Sequence, residues 1–235
     1  MAEQKTATMN DIEKMFKAGA HFGFSKSRRH PSAKPLIFGS KNKVEIFDLE
    51  KTKTYLDKAK QFVMDIASRN GMILFVGSKN EAQESVRKAA DSLNMPYVAG
   101  RWIGGTFTNF PQIRKRVERM EMLMSQREKG ELGKYTKKER LLIDREIDNL
   151  NRFFAGITSM KDMPKAMFVI DAKHETIAVT EAHKVKIPVI ALCGSDNNLG
   201  NVEFPVPGND ASRMSVAFFL DEIVAAYKAG QKAAK

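Results

Sequence analysis

Val76-Gly77-Ser78-Lys79-Asn80 joins an apolar strand pattern to a helix pattern through a glycine. In open α/β sheets such a junction binds phosphate, because the first N–H groups of the helix point outward without partners and carry partial positive charge. The stretch has neither Gly-x-Gly-x-x-Gly nor the Gly-Lys-Ser/Thr of a P-loop, so a bound nucleotide is not indicated. A nucleic-acid phosphate, or no ligand at all, is the reading left. Asp171 ends a second apolar strand, with His174 and Glu175 three and four residues on. That set could supply a general acid and base or metal ligands. The simpler reading makes Asp171 a helix cap, with His174 and Glu175 in the first turn. Cys193 also ends an apolar run, but no histidine lies near it in sequence, and buried cysteine commonly behaves as a small hydrophobe. His21, His30, His174 and His183 lack metal-ligand spacing. No catalytic residue, metal or cofactor is expected.

The basic residues point elsewhere. Residues 21–43 hold six Lys or Arg (26, 28, 29, 34, 41 and 43) and no acid. Lys26, Arg28 and Arg29 alternate with Ser25 and Ser27 in a loop, and Lys41 and Lys43 lie on a hairpin pattern. The whole chain carries a formal charge of +11. An excess of that size favours a polyanionic partner, since neutralised phosphates release counterions. Residues 101–109 read Arg-Trp-Ile-Gly-Gly-Thr-Phe-Thr-Asn and contain the only tryptophan. Arg101 could reach RNA phosphate, and Trp102 could stack a base or plug the space between two elements. Gly104 and Gly105 allow a sharp turn, and Asn109 opens the helix that follows. Arg114, Lys115, Arg116 and Arg119 lie on that helix.

These residues need a frame. A helix fits residues 9–19, capped by Asn10 or Asp11, with Ile12, Met15 and Phe16 at helical spacing. Leu36–Phe38 and Val44–Phe47 read as strands joined around Gly39-Ser40-Lys41-Asn42. Helices at about 51–69, 80–93, 174–184 and 211–229 alternate with short apolar strands at 72–77, 96–99, 166–170, 188–193 and 202–206. That alternation predicts a parallel sheet with helices on both faces and right-handed crossovers. Two helical stripes interrupt it: Ile113, Val117, Met120 and Met124, then Ile143, Ile147, Leu150 and Phe154. Thr136 with Glu139 makes a capping-box pattern, and Gly130 and Gly133 mark the turn between the stripes. The pair predicts an antiparallel helical hairpin at 109–155, inserted into an α/β unit made of 1–108 and 156–235.

Apolar residues make up 43% of the chain, enough for a real core. Its single cysteine excludes an internal disulfide and a cysteine-based zinc site. Residues 1–15 are polar and mixed in charge, unlike a secretory signal, and the apolar runs are too short to cross a bilayer. A cytoplasmic protein without a membrane partner is expected.

Short patterns run in order along nearly the whole chain, from about 9 to 229. They are Ala18-Gly19, His21-Phe22-Gly23, Lys34-Pro35, Ile37-Phe38-Gly39 and Asn42-Lys43-Val44, then Leu49, Lys51 and Thr52. Ile73-Leu74-Phe75-Val76-Gly77 and Arg101-Trp102, Gly104-Gly105, Thr108-Asn109 follow. The last are Phe168-Val169-Ile170-Asp171, Glu181-Ala182, Ile187-Pro188-Val189 and Pro207-Gly208-Asn209-Asp210. Together they resemble the small-subunit ribosomal protein two family in its bacterial form. The resemblance implies a flavodoxin-like α/β fold with an inserted coiled-coil hairpin. It also implies a structural role on small-subunit ribosomal RNA, at the back of the particle between head and body. Neighbouring ribosomal proteins would be its partners, including ribosomal protein one, which the family helps to dock. No reaction and no small-molecule substrate are implied. Two departures stand out. Cys193-Gly194-Ser195 precedes Asp196-Asn197 where relatives commonly have Asp-Thr-Asn, and Phe24 stands where many carry a second histidine. Both weaken any metal site.

The competing readings are a phosphate-ester or nucleotide enzyme on the same fold, using Gly77–Asn80 and Asp171, and a free-standing RNA-binding regulator.

Overall fold

The computed structural model describes residues 11–233. Its first helix, α1, covers 11–17, so the helix expected from 9 is met over that range, and the proposed cap Asn10 lies outside the described residues. The strands are β1 (Phe22–Ser25), β2 (Ile37–Lys41), β3 (Val44–Phe47), β4 (Ile73–Val76), β5 (Tyr97–Val98), β6 (Ala166–Ile170), β7 (Val189–Cys193) and β8 (Phe204–Pro207). The remaining α-helices are α2 (Leu49–Ser68), α3 (Asn80–Asp91), α4 (Phe110–Glu128), α5 (Lys137–Phe154), α6 (Thr176–Lys184) and α7 (Arg213–Ala233). None is long and apolar enough to cross a membrane.

Five strands form a parallel sheet in the order β5-β4-β6-β7-β8. Counted within the sheet this is 2-1-3-4-5, the flavodoxin-like order, with its switch point between β4 and β6. β4, β6 and β7 are buried along their whole length, as strands covered on both faces must be. Alternation then sorts their side chains. Ile73, Phe75, Phe168, Ile170, Ile190 and Leu192 face α2, α3 and α7, where Val63, Val86, Phe219 and Ile223 meet them. Leu74, Val76, Met167, Val169, Val189 and Ala191 face the other way, toward Trp102, Phe107, Ile113, Val117 and the apolar side of α6.

A second, antiparallel sheet has the order β1-β3-β2. Its hairpin turns at Asn42 and Lys43, with φ of 52° and 65°. Two successive left-handed residues make the tight turn that matches strand twist, and asparagine tolerates that region well. The turn therefore sits two residues beyond the one read from sequence. β1 was not expected at all. It is a four-residue edge strand containing glycine, and its register breaks between Phe22 and Ser25.

Between β5 and β6 the chain makes α4 and α5. Ion pairs Arg119–Glu146 at 3.2 Å and Arg127–Asp144 at 3.9 Å join them. Their buried residues are Ile113, Val117, Met120 and Leu123 on one, and Ile147, Leu150 and Phe154 on the other. Met124 and Ile143 are only half-buried, so the stripe of α4 swings to Leu123. Gly130 turns the chain in the left-handed region at φ 73°, and Thr136 with Glu139 completes the capping box.

Candidate nucleic-acid interface

At the switch point the carboxyl ends of the strands hold charge. Lys79 precedes α3, and its ammonium contacts Asp171 Oδ2 and, at 3.0 Å, Asp210 Oδ2. Asp171 has a left-handed backbone, φ 64°, and its Oδ1 accepts from the N–H groups of Lys173 at 3.0 Å and His174 at 3.1 Å. It thus caps the turn leading to α6 rather than the helix itself, which begins at Thr176. Burial opposes its ionisation, but Lys79 and these donors outweigh burial and hold its pKa below the usual value. Asp210 goes the other way, because burial and the charge of Asp171 push it up to about 6 against the pull of Lys79. Lys79 itself is raised, since the two carboxylates overcome its burial.

Ser78 donates both its N–H and its hydroxyl to Glu175 Oε1. Ser78 and the Lys79 ammonium, which would face a phosphate here, are therefore taken by the protein's own carboxylates. Cys193 is fully buried, and burial followed by the charges of Asp210 and Asp171 pushes its thiol pKa well up, away from thiolate chemistry. Among the described residues no three of His, Cys, Asp and Glu are grouped to hold a metal ion.

The antiparallel sheet docks onto this same end. Phe24 N–H donates to Ser195 Oγ at 2.9 Å, His30 N–H to Ser195 O at 2.9 Å, and Asn209 Nδ2 to Gly19 O at 2.9 Å. A Cβ on Gly194 would stand 2.6 Å from Asp210 Oδ1 and 3.0 Å from the Phe24 ring. Both departures from the family pattern thus meet in one contact, where the Phe24 ring needs glycine opposite it. Arg28 crosses the seam, and Arg29 ties its loop to β3. Arg28 pairs with Asp196 at 3.1 Å while 57% of its side chain stays exposed. Arg29, only 20% exposed, pairs at 2.7 Å with Glu45, which is almost wholly buried. Lys26 is exposed beside them, and Lys41 and Lys43 are exposed at the hairpin turn.

The loop at 101–109 is organised by a residue that its own sequence does not reveal. Glu181, on α6, is buried and accepts from the N–H groups of Gly105 at 2.7 Å, Phe107 at 3.0 Å and Thr108 at 3.3 Å. Thr108 Oγ1 and Trp102 Nε1 add two more donors, each at 3.4 Å. Burial raises the carboxyl's pKa, but the donors prevail and hold it below normal. Trp102 is 6% exposed and meets Phe107 edge to face, with centroids 5.2 Å apart. It fills the core beneath α4 and α5, which is the plug reading. Gly105 adopts φ 93°, and Gly104 approaches Glu181. Asn109 precedes α4 without a side-chain cap bond. Arg101 and Lys115 are exposed, whereas Arg114 is mostly covered and donates to Thr158 O at 3.2 Å.

The structure therefore gathers Lys26, Arg28 and Arg29 on one segment and leaves Lys41 with Lys43, Arg101, and Arg114 with Lys115 as separate basic points. Sequence reading missed Glu45 and Glu181 as the acids that hold the basic loops, and it did not single out Asp196 for that task. The signal was faint, because local spacing marks none of these partners: Glu45 lies 16 residues from Arg29, Glu181 76 from Gly105 and Asp196 168 from Arg28.

The model of the family described as ribosomal protein S2 matches residues 15–230. A small ribosomal subunit protein uS2 from Bdellovibrio bacteriovorus is 39% identical, covering 94% of this chain and 71% of the relative. The protein of that name from Corynebacterium glutamicum (strain R) is 42% identical over 94% of this chain and 84% of its own length. That from Spiroplasma citri is 42% identical over 92% of this chain, which spans only 60% of it. With its parallel sheet, its basic loops and a match running from α1 to α7, the chain belongs to the ribosomal protein S2 family.

Proposed function

We propose that this chain is a structural constituent of the small ribosomal subunit in the cytoplasm, binding small-subunit ribosomal RNA and neighbouring ribosomal proteins to support translation. The observation that carries this reading is the family match across 15–230. The relatives are named as small-subunit proteins, and the charge of +11 suits an RNA partner. Lys26, Arg28, Arg29, Lys41, Lys43, Arg101, Arg114 and Lys115 are the proposed RNA contacts. Trp102, Gly104, Gly105 and Asn109 form the junction from which the hairpin leaves.

Residues 109–155 act as an inserted antiparallel coiled-coil hairpin, distinct from the α/β unit of 1–108 and 156–235. The cross-helix ion pairs of α4 and α5 support that pairing, while Ile113, Val117, Leu150 and Phe154 root its base in the core of the α/β unit. Phe16, Phe22, Phe38 and Val44 leave an exposed apolar face at α1 and the small sheet. Exposed apolar patches mark protein contacts, which supports docking of a neighbour such as ribosomal protein one. An enzyme on this fold would need an open crevice at β4 and β6, and there Lys79, Asp171, Asp210, Ser78 and Glu175 satisfy one another.

RNA affinity measured against salt tests the reading. Six to ten phosphate contacts predict a loss of roughly a thousandfold or more between 50 and 200 mM salt. Flat, saturable small-ligand binding would favour an enzyme instead. Arg28→Glu with Arg29→Glu should lower incorporation into subunits, and unchanged occupancy at raised salt would remove both from the contact set. Lys26→Glu, at an exposed position, separates RNA contact from folding, because Arg28 and Arg29 also neutralise Asp196 and Glu45.

A further inference from the structure

A cleft of about 350 Å³ opens beside the carboxyl end of β7, bounded by Arg28, Pro31, Lys173, Val179, Thr180 and Asp196 among others. Its volume falls within the roughly 300–1,000 Å³ of small-ligand sites. Its chemistry is more specific than a basic surface. The Arg28 guanidinium lies 4.1 Å from the centre of the Phe24 ring and is held at one edge by Asp196 Oδ2, yet most of the side chain is exposed. A cation fixed in this way is a ready stacking surface for a nucleobase. Lys173 Nζ reaches the same Oδ2 at 3.0 Å. The other oxygen, Asp196 Oδ1, is buried and has no hydrogen-bond partner among the described residues, on a side chain only 4% exposed. A buried acceptor in that position calls for a donor.

We propose that the cleft receives one unstacked nucleotide of the small-subunit RNA. Its base stacks on Arg28, and its exocyclic amino group donates to Asp196 Oδ1. Lys173 stands ready for the adjoining phosphate. Adenine, cytosine and guanine carry such an amino group, and uracil offers its ring N3–H in its place, so the cleft reads an unpaired Watson–Crick edge rather than one kind of base. A free nucleotide is a poorer fit. The phosphate cradle at Ser78 and Lys79 is taken by carboxylates, which leaves Lys173 alone to meet a terminal phosphate. A nucleotide within a long RNA draws its affinity from contacts elsewhere on the chain.

This assignment rests on the RNA-binding reading, and its test separates the two. Small subunits reconstituted with and without the wild-type chain are probed with base-specific and ribose-specific reagents. The expected result is one unpaired nucleotide whose base is protected only when the chain is present. Thr180→Tyr, at an exposed position lining the cleft, should abolish that protection while leaving every cation in place. Two results with the chain fully incorporated overturn the cleft alone: no protected unpaired base, or protection that survives Thr180→Tyr. If the variant does not incorporate, the comparison with and without the wild-type chain decides. A wild-type chain absent from the particles overturns the RNA-binding reading, and the cleft with it.

Discussion

Glu181 shows how one carboxylate can organise a loop of nine residues. Five donors converge on it, three of them backbone N–H groups from Gly105, Phe107 and Thr108. Replacing one carboxylate oxygen by an NH2 group, as in Glu181→Gln, sets a donor against donors that then lack a partner. Each buried unpaired group costs about 1–3 kcal/mol, so urea unfolding should show a loss of at least that size. An unchanged midpoint would mean the loop is held by Trp102 alone. Asp210 gives a pH signature. Its pKa is raised from the ordinary carboxylate value to about 6, so the folded state binds its proton more tightly than the unfolded chain does. Its contribution to stability is full below about pH 4 and is lost as pH rises through about 6, on the order of 2–3 kcal/mol. Asp171, held low, acts in the opposite sense at more acid pH. Asp210→Asn should therefore flatten the stability profile between pH 4 and 6, as read by thermal unfolding. A profile identical to wild type would contradict this charge arrangement. The residue types at Arg101, Trp102 and the glycine pair were legible in sequence. Their partner was not, because nothing in local spacing links position 105 to position 181.

At the level of elements, period and propensity carried the reading far. β4, β6 and β7 are continuous apolar runs, and buried parallel strands have to be so. The capping box at Thr136 was visible as Thr-x-x-Glu and forms as expected. Thr136→Ala should weaken the start of α5 by about 1 kcal/mol. Hydrogen exchange should quicken in its first turn and leave β6 and β7 unchanged, whereas global acceleration would mean that α5 unfolds with the sheet. Short elements were harder. β1 has four residues, a glycine and an irregular register, so no alternation long enough to recognise exists. Its stability comes from pairing with β3 and from Ser195, both distant in sequence. The turn of the β2–β3 hairpin was misplaced toward Gly39, because Asn42 and Lys43 supply the left-handed pair without a glycine.

For the whole molecule, charge and order of motifs said more than any single site. The net charge of +11 is a property of the chain, but sequence cannot say which cations are spent internally. Arg29 is tied to buried Glu45 and Arg114 to Thr158, while Lys41, Lys43 and Arg101 face solvent. At the switch point Lys79 is tied to Asp171 and Asp210, while the basic loops and the rings of Phe16, Phe22 and Phe38 face outward. Incorporation into the small subunit is the central claim, and sucrose-gradient sedimentation of a cell lysate measures it directly. The chain should travel with the small subunit and with intact ribosomes at low salt. Recovery only in the soluble top fractions, even at low salt, would contradict the assignment.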